Sequence, residues 1–490
     1  MTYDLLIIGG GINGCAIARE AALNGWTVLL VEKDDLANHT SSASTKLIHG
    51  GLRYLETYEF KMVREALQER KLLMAMAPHL IHPKSFVLPQ ENSPRPWFLV
   101  RAGLYLYDLL AGSGNLARSR RLKRSDALFQ LPLKRPGSGF VYSDCSVDDA
   151  RLTVLNAVDA AKAGAVIRTR TALVSTKRNR NDWVATLSDG TTVMAKAVIN
   201  AAGPWVLDVE TKTGMAARNS IRLVKGSHIV VPRLYAGEHA YMLQQKDRRI
   251  VFTVPWTHDT TMIGTTEENV DTPENPTISA EETNYLIDAA NLSFVRQSTK
   301  ADIIYDWAGV RPLFEDGAVD ARTATRDYVL ELNIENAPVL AIFGGKITTA
   351  RHLAEEAVGK MGVALGRPTT PATRARHFPG GQFPASFDRF VKITASRWPF
   401  LGAERADRMA RAYGTMLNDM LAGIDSAKAM GVDFGGGLTA LEVDWLVAHE
   451  WAQTAEDILW RRTKIGLATA KPTLTKLTKY LEDRRNAARH

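Results

Sequence analysis

Near the start of the chain, Gly9-Gly10-Gly11-Ile12-Asn13-Gly14 has the spacing G-x-G-x-x-G. Each glycine of that spacing has a physical task beside a pyrophosphate: Gly9 permits a tight turn, Gly11 lets the backbone approach the phosphates, and Gly14 lets a helix pack closely on a strand. The helix that follows offers N–H groups and the positive end of its dipole, with Ile12 and Asn13 in the turn that meets the anion. Glu32, at the distance beyond the motif where a carboxylate accepts hydrogen bonds from a ribose hydroxyl, would repel a 2′-phosphate and so disfavours NADP. The hydroxyl-rich run Ser41-Ser42-Ala43-Ser44-Thr45-Lys46 could donate further hydrogen bonds to such a cofactor, and Gly50-Gly51 could lie close to a flat ring. Taken alone, that run reads rather as a polar loop.

The elements that must position these residues are legible nearby. Leu5 to Ile8 is a continuous apolar run, as in a parallel strand buried on both faces. Cys15 to Leu23 has helical spacing, Asn24-Gly25 stops it, and Thr27 to Val31 is a second buried strand, which completes a βαβ unit. Ala197 to Ile199 and Val339 to Phe343 read as further strands of that layer, with an alanine-rich helix predicted from about Thr348 to Met361. Alternating segments such as Ser227 to Val231 and Arg249 to Val254 suit an antiparallel substrate lobe. Pro368, Pro371, Pro379, Gly380 and Gly381 mark a linker, and the chain beyond about residue 385 reads as helices.

Composition narrows the classes. A chain of 490 residues calls for two or three domains, and 45% hydrophobic with 23% charged residues is ordinary for a soluble globular protein. Cys15 and Cys145 are the only cysteines and stand far apart, which argues against disulfides or a thiolate metal site and suits a reducing compartment. Neither His79 and His82 nor His449-Glu450 has the companions of a metal centre, so none is expected. The start lacks secretory signal features, and no stretch has the ~20 apolar residues of a membrane span. The net charge of +8 allows nucleic acid, anionic lipid or an anionic substrate without choosing among them. Basic patches interleaved with exposed stacking aromatics are not evident, which counts against nucleic acid.

A wider set of segments carries a resemblance. Gly9 to Gly14 with Glu32, Thr40 to Leu55, Tyr142-Ser143-Asp144-Cys145, Asp148-Asp149-Ala150-Arg151, Asn200 to Trp205, Lys225 to Pro232, Gly309 to Leu313, Thr325 to Tyr328, Phe343 to Thr349 and Leu459 to Lys464 together resemble the FAD-dependent glycerol-3-phosphate dehydrogenases, most closely those of the aerobic bacterial type. Asn38-His39 departs from the small residues expected before Thr40. The resemblance implies an α/β fold of the glutathione-reductase/D-amino-acid-oxidase kind. It has a Rossmann-like FAD-binding domain (1–85, 140–216 and 306–372), an antiparallel β substrate lobe (86–139 and 217–305) and a helical C-terminal domain (373–490).

It also implies chemistry: hydride transfer from C2 of sn-glycerol 3-phosphate to FAD, loss of the C2 hydroxyl proton, and delivery of electrons to a membrane quinone. FAD contacts are expected from Gly9, Gly11, Ile12, Asn13, Gly14, Glu32, Ser41, Ser42, Ser44, Lys46, Leu47, His49, Gly50, Gly203, Gly345, Lys346, Ile347 and Thr348. Arg53, Arg311, Arg326 and Lys346 are the candidate phosphate cations, arginine being suited by its planar fork, with Tyr54 a further substrate contact. His228 is the first choice of base and His49 its rival, because imidazole titrates near working pH and geometry must decide. Trp97 to Tyr107, with Arg95, Arg101 and the basic run from Arg118 to Arg124, is a candidate contact with an anionic membrane on the inner face of the plasma membrane; a buried helix reads equally well. Other readings are another FAD-dependent amine or hydroxy-acid oxidase, a flavoprotein acting on RNA, and a non-catalytic nucleotide-binding regulator. The electron acceptor, quinone or oxygen, and the oligomeric state, a homodimer included, stay open.

Overall fold

The computed structural model describes residues 2–114, 116–214, 220–257, 259–315, 327–383, 386–469 and 471–487. Two large sheets organise it. In the first, Thr2–Ile8 lies between the parallel strands Thr192–Asn200 and Val28–Val31, with Val339–Phe343 beyond the former and Val166–Arg168 beyond the latter. Leu5 to Ile8 is buried throughout, as expected of a strand covered on both faces. The helices Ile12–Leu23, Asp149–Lys162 and Ala350–Ala364 pack together against it through Ala, Val and Leu side chains. Asp148 caps the second of these helices by accepting from Arg151 N, which leaves Asp149 in its first turn.

The second, ten-stranded sheet is the substrate lobe, and it recruits more of the chain than expected. Besides Ile221–Pro232, Ala240–Gln244, Ile250–Trp256 and Thr260–Gly264, it contains Leu47–Ile48, Ile81–Pro89, Gly139–Val147 and Tyr305–Phe314. The expected boundaries at 85, 140 and 306 therefore shift. The strand Tyr305–Phe314 pairs antiparallel with Ile221–Pro232 over their whole common length, so it belongs to the substrate lobe rather than the nucleotide domain. That register sets His228 opposite Trp307 on one side and opposite Gly264 on the other.

The C-terminal part is helical as expected, with Phe387–Arg397, Gly402–Tyr413, Ala440–Glu450 and Lys471–Ala487 and one short hairpin. Buried ion pairs fasten it to the nucleotide domain: Arg151 to Glu450, and Arg462 to Asp35 at 2.8 Å. The Pro/Gly-rich segment before it is likewise strapped down. Glu20 accepts from Ala372 N and Thr373 N, Asp159 holds Arg376, and a Cβ on Gly380 would lie 2.2 Å from the Tyr413 carbonyl oxygen.

Candidate active site

The glycine motif does what its spacing requires. Gly9 has φ +111°, and a Cβ there would lie 2.5 Å from the Ala201 carbonyl oxygen; a Cβ on Gly14 would lie 2.0 Å from that of Gly9. Gly14 thus serves helix–strand packing, while Gly9, Gly11, Ile12 and Asn13 line a cavity with Glu32, Gly203 and Gly345. Ser41 Oγ accepts from Ile12 N at 2.9 Å, joining the hydroxyl loop to the helix start. Both Glu32 oxygens accept backbone N–H groups, from Gly10 at 2.6 Å and Asp34 at 2.8 Å; burial pushes its carboxyl above the usual range against those two bonds. Asn13 Nδ2 donates to Gly344 O, whereas its Oδ1 is buried without a partner among the described residues. A glycine-lined cradle, a buried carboxyl at the ribose position and an orphaned amide oxygen fit the ADP half of FAD.

His39, the residue out of keeping with the expected loop, packs beside Trp205. Its ring lies 4.5 Å from Trp205, whose other neighbours are Lys33, 4.4 Å from the ring, and Glu274, which accepts from Trp205 Nε1. His39 Nε2 is 2.7 Å from Asp34. Glu32, Asp34 and His39 bring metal-ligand atoms within 4.8 Å of one another, but these atoms already have backbone or side-chain partners.

A second cavity shares Ile12, Thr40, Ser41, Pro312, Gly344 and Gly345 with the first and runs toward the substrate lobe. Ser44, Leu47, His49, Gly50, Tyr54, His228, Arg311, Lys346, Ile347 and Thr348 all line it. Residues from five distant segments thus meet in one space. Lys346 Nζ lies 4.4 Å from the Tyr54 ring centroid and 2.8 Å from Met62 Sδ. Arg311 donates to Thr266 O at 3.4 Å. His228 Nε2 is 3.0 Å from Thr45 Oγ1, its ring stacks on Trp307 at 4.9 Å, and a Cβ on Gly264 would lie 2.0 Å from the imidazole.

Each histidine is buried among charges of both signs. Burial lowers both, but Asp144 opposes the effect at His49, with Lys346 and Arg70 lowering it further. At His228, burial, Lys46 and Arg311 outweigh the opposing Asp149 carboxylate and hold the pKa at about 3. His228 Nδ1 has no partner among the described residues.

Several expected contacts are rearranged. Ser42 and Lys46 line neither cofactor cavity; they face a neighbouring space on the other side of the loop. Lys46 is buried, and Asp149 at 3.0 Å and Ser42 O at 2.8 Å take its ammonium group. Asp149 also accepts from Ser44 Oγ and from Lys464 of the C-terminal domain. Gly50 is glycine chiefly for packing: a Cβ would lie 2.6 Å from Leu67 and 2.8 Å from the Tyr107 hydroxyl. Arg53 lies 3.8 Å from Glu267 and lines an adjoining apolar groove instead of the reactive cavity. Arg326 falls outside the described residues. Trp205, Asp144 and Thr265 (in Ile263-Gly264-Thr265-Thr266, a further family-like segment) had no sequence signal beyond membership of such segments; Arg70 had none, and Tyr107 was read only within the candidate membrane segment.

Comparison with known proteins agrees with this geometry. The family model described as FAD dependent oxidoreductase matches residues 4–351, and the one described as C-terminal domain of alpha-glycerophosphate oxidase matches 371–482. A glycerol-3-phosphate dehydrogenase of Pseudomonas aeruginosa is 47% identical, covering 98% of this chain and 95% of its own. The chain belongs to the FAD-dependent glycerol-3-phosphate dehydrogenase family. Within it, a D-erythritol 1-phosphate dehydrogenase of Brucella abortus is 44% identical over 94% of each chain. The crystal structure of the glycerol-3-phosphate dehydrogenase from Bacillus halodurans complexed with FAD superposes with a TM-score of 0.73 at 26% identity, covering 98% of this chain and 94% of that one.

Proposed function

We propose that the protein oxidises sn-glycerol 3-phosphate to dihydroxyacetone phosphate and passes the electrons from FAD to a membrane quinone. The observation that carries this reading is the meeting of Arg311, Lys346, Tyr54 and His49 in a cavity continuous with the nucleotide slot. Arg311 and Lys346 hold the phosphate dianion, and the energy of that contact orients C2. Tyr54, beneath the Lys346 ammonium, packs against the substrate side of the pair.

His49 accepts the C2 hydroxyl proton. A general base works best with a pKa near the operating pH; Asp144 counters the effect of burial at His49, whereas at His228 burial, Lys46 and Arg311 outweigh Asp149. His228, held near about 3, cannot retain a proton at neutral pH and serves as a neutral hydrogen-bonding group beside Thr45. This ordering reverses the one favoured by sequence. FAD, when bound, supplies the hydride acceptor. Anaerobic addition of sn-glycerol 3-phosphate should bleach the flavin absorbance, and glycerol should bleach it far more slowly; equal rates would overturn the phosphate assignment.

The 44%-identical erythritol phosphate relative motivates a second substrate. The same cations serve any terminal phosphate, so the two compounds compared by kcat/KM decide which the cavity fits.

Quinone access is proposed to come from the anionic inner face of the plasma membrane. No helix among the described residues is long and apolar enough to cross a bilayer. The helix Trp97–Ala111 buries Val100, Leu104 and Tyr107 and turns Phe98, Tyr105 and Leu109 outward, at 71%, 65% and 65% exposure. Arg121, 5.8 Å from the Trp97 ring, and Arg124 lie at hand for lipid phosphates, whereas Arg120 is engaged by Asp126. Phe98→Glu with Leu109→Glu should release the protein from anionic liposomes in flotation while dye-linked activity persists. Unchanged flotation would move the contact elsewhere.

A further inference from the structure

Beneath His49, three elements bring three polar side chains together: Arg70 from the helix Phe60–Met76, Tyr107 from Trp97–Ala111 and Asp144 from the strand Gly139–Val147. None of the three lines the reactive cavity. The Tyr107 hydroxyl donates to Asp144 at 2.8 Å and accepts from Gly50 N at 2.8 Å, so one atom joins the carboxylate to the peptide that follows His49. On the other side His49 N donates to Thr348 Oγ1 at 3.4 Å. Arg70 bonds Asp144 and also Ser143 O. Only glycine at position 50 lets the backbone come this close to the hydroxyl.

We infer that Asp144, clamped by Arg70, is a positioning residue that fixes His49 through the Tyr107 hydroxyl and the Gly50 peptide. Burial pushes the Asp144 carboxyl up, while Arg70 and Tyr107 pull it down. A guanidinium does not give up its proton, and neutral Asp144 would leave that cation buried without a counter-charge, so the pair stays ionised. Burial and the neighbouring carboxylate push the Tyr107 hydroxyl well above its usual range, which keeps it a donor. The charges acting on His49 are then Asp144, which favours the imidazolium, and Lys346 and Arg70, which oppose it. Among these Asp144 is the one group that restores basicity to a buried imidazole.

The inference rests on the reading of His49 as the base, and the experiment separates the two. Anaerobic stopped-flow reduction by sn-glycerol 3-phosphate is followed against pH in the holoenzyme, for wild type, His49→Gln, Asp144→Asn, Tyr107→Phe and the double variant Arg70→Met with Asp144→Asn. Flavin content is measured for each, and the double variant guards against a fold lost to an unpaired Arg70. The His49 ring is titrated in parallel by NMR with labelled histidine, assigned by its loss in His49→Gln. Asp144→Asn should move the acidic limb of the limiting rate, and the His49 titration, about one pH unit downward, and the double variant should move both in the same direction by less, because the opposing Arg70 charge is lost too. Tyr107→Phe should lower the limiting rate about tenfold, through misalignment, with the substrate dissociation constant unchanged. If the limb vanishes in His49→Gln but stays put in both Asp144 variants, the inference fails and the base stands. If the limb survives in His49→Gln, the base assignment fails, and the NMR titration alone decides whether Asp144 controls His49. A Tyr107→Phe enzyme reduced at the wild-type rate removes Tyr107 from the proposal.

Discussion

Replacing Arg311 with alanine separates a phosphate clamp from a structural arginine. Arg311 lines the cavity beside Lys346, half-buried, and donates to Thr266 O at 3.4 Å. Truncating one partner of a desolvated charged pair costs ~2–5 kcal/mol. Incomplete burial and the surviving Lys346 cation put this case at the lower end. At about 1.4 kcal/mol per factor of ten, ~2 kcal/mol is roughly a 30-fold loss in kcat/KM for sn-glycerol 3-phosphate. A role in phosphate binding also makes the loss substrate-specific. Glycerol has no phosphate for Arg311 to hold, so its slow turnover should change little, and the preference for the phosphorylated substrate should fall by that same factor. The assay is anaerobic flavin reduction over a range of each substrate, with the dissociation constant and limiting rate separated; the effect belongs mainly in the former. Equal losses on both substrates would mean that Arg311 supports the strand pair near Gly226 and Thr266 and does not grip phosphate.

The remaining predictions concern the cofactor cradle, the second histidine and pH. Gly14→Ala should yield protein without flavin absorbance, since its Cβ would meet the Gly9 carbonyl at 2.0 Å, whereas Gly359→Ala, with open space around it in a helix, should keep FAD and gain up to ~1 kcal/mol. Lys46→Met should raise the His228 pKa from about 3, because the largest charge opposing its protonation is lost while Asp149 still favours it; an unmoved His228 titration by NMR would refute this. His79, His82, His228 and His239 are held near about 3, 4, 3 and 4, chiefly by burial. Their folded pKa values lie below 6.5, so the stability they contribute is complete above that pH and is lost as pH falls from 6.5 toward 4, by up to ~1.4 kcal/mol per pH unit for each group. His239→Phe should flatten the fall in thermal midpoint between pH 7 and 5, because both ring nitrogens are buried without partners among the described residues, in an aromatic nest of Phe129, Tyr235 and Tyr241.

What the sequence by itself determined is local. The Gly9–Gly14 turn, its flanking strands and Glu32 are legible because their spacing is dictated by contacts within one βαβ unit, and the structure reproduces them with starts shifted by one to three residues. That Arg311 and Lys346 line one cavity could be expected only through family-like segments, as nothing in the sequence between them says so. Lys46, a cofactor contact implied by the resemblance, shows the limit: the fold brings Asp149 to its ammonium group from far along the chain, and it lines neither cofactor cavity. The strand Tyr305–Phe314 was assigned to the wrong lobe because an apolar strand does not encode its partner; pairing along its length with Ile221–Pro232 decides it. The proposed order of the two histidines rests on surroundings that no local spacing encodes. An imidazole's basicity is set by the burial and charges around it, and those around His49 and His228 come from Asp144, Arg70, Lys46 and Arg311, on elements that only tertiary packing brings together.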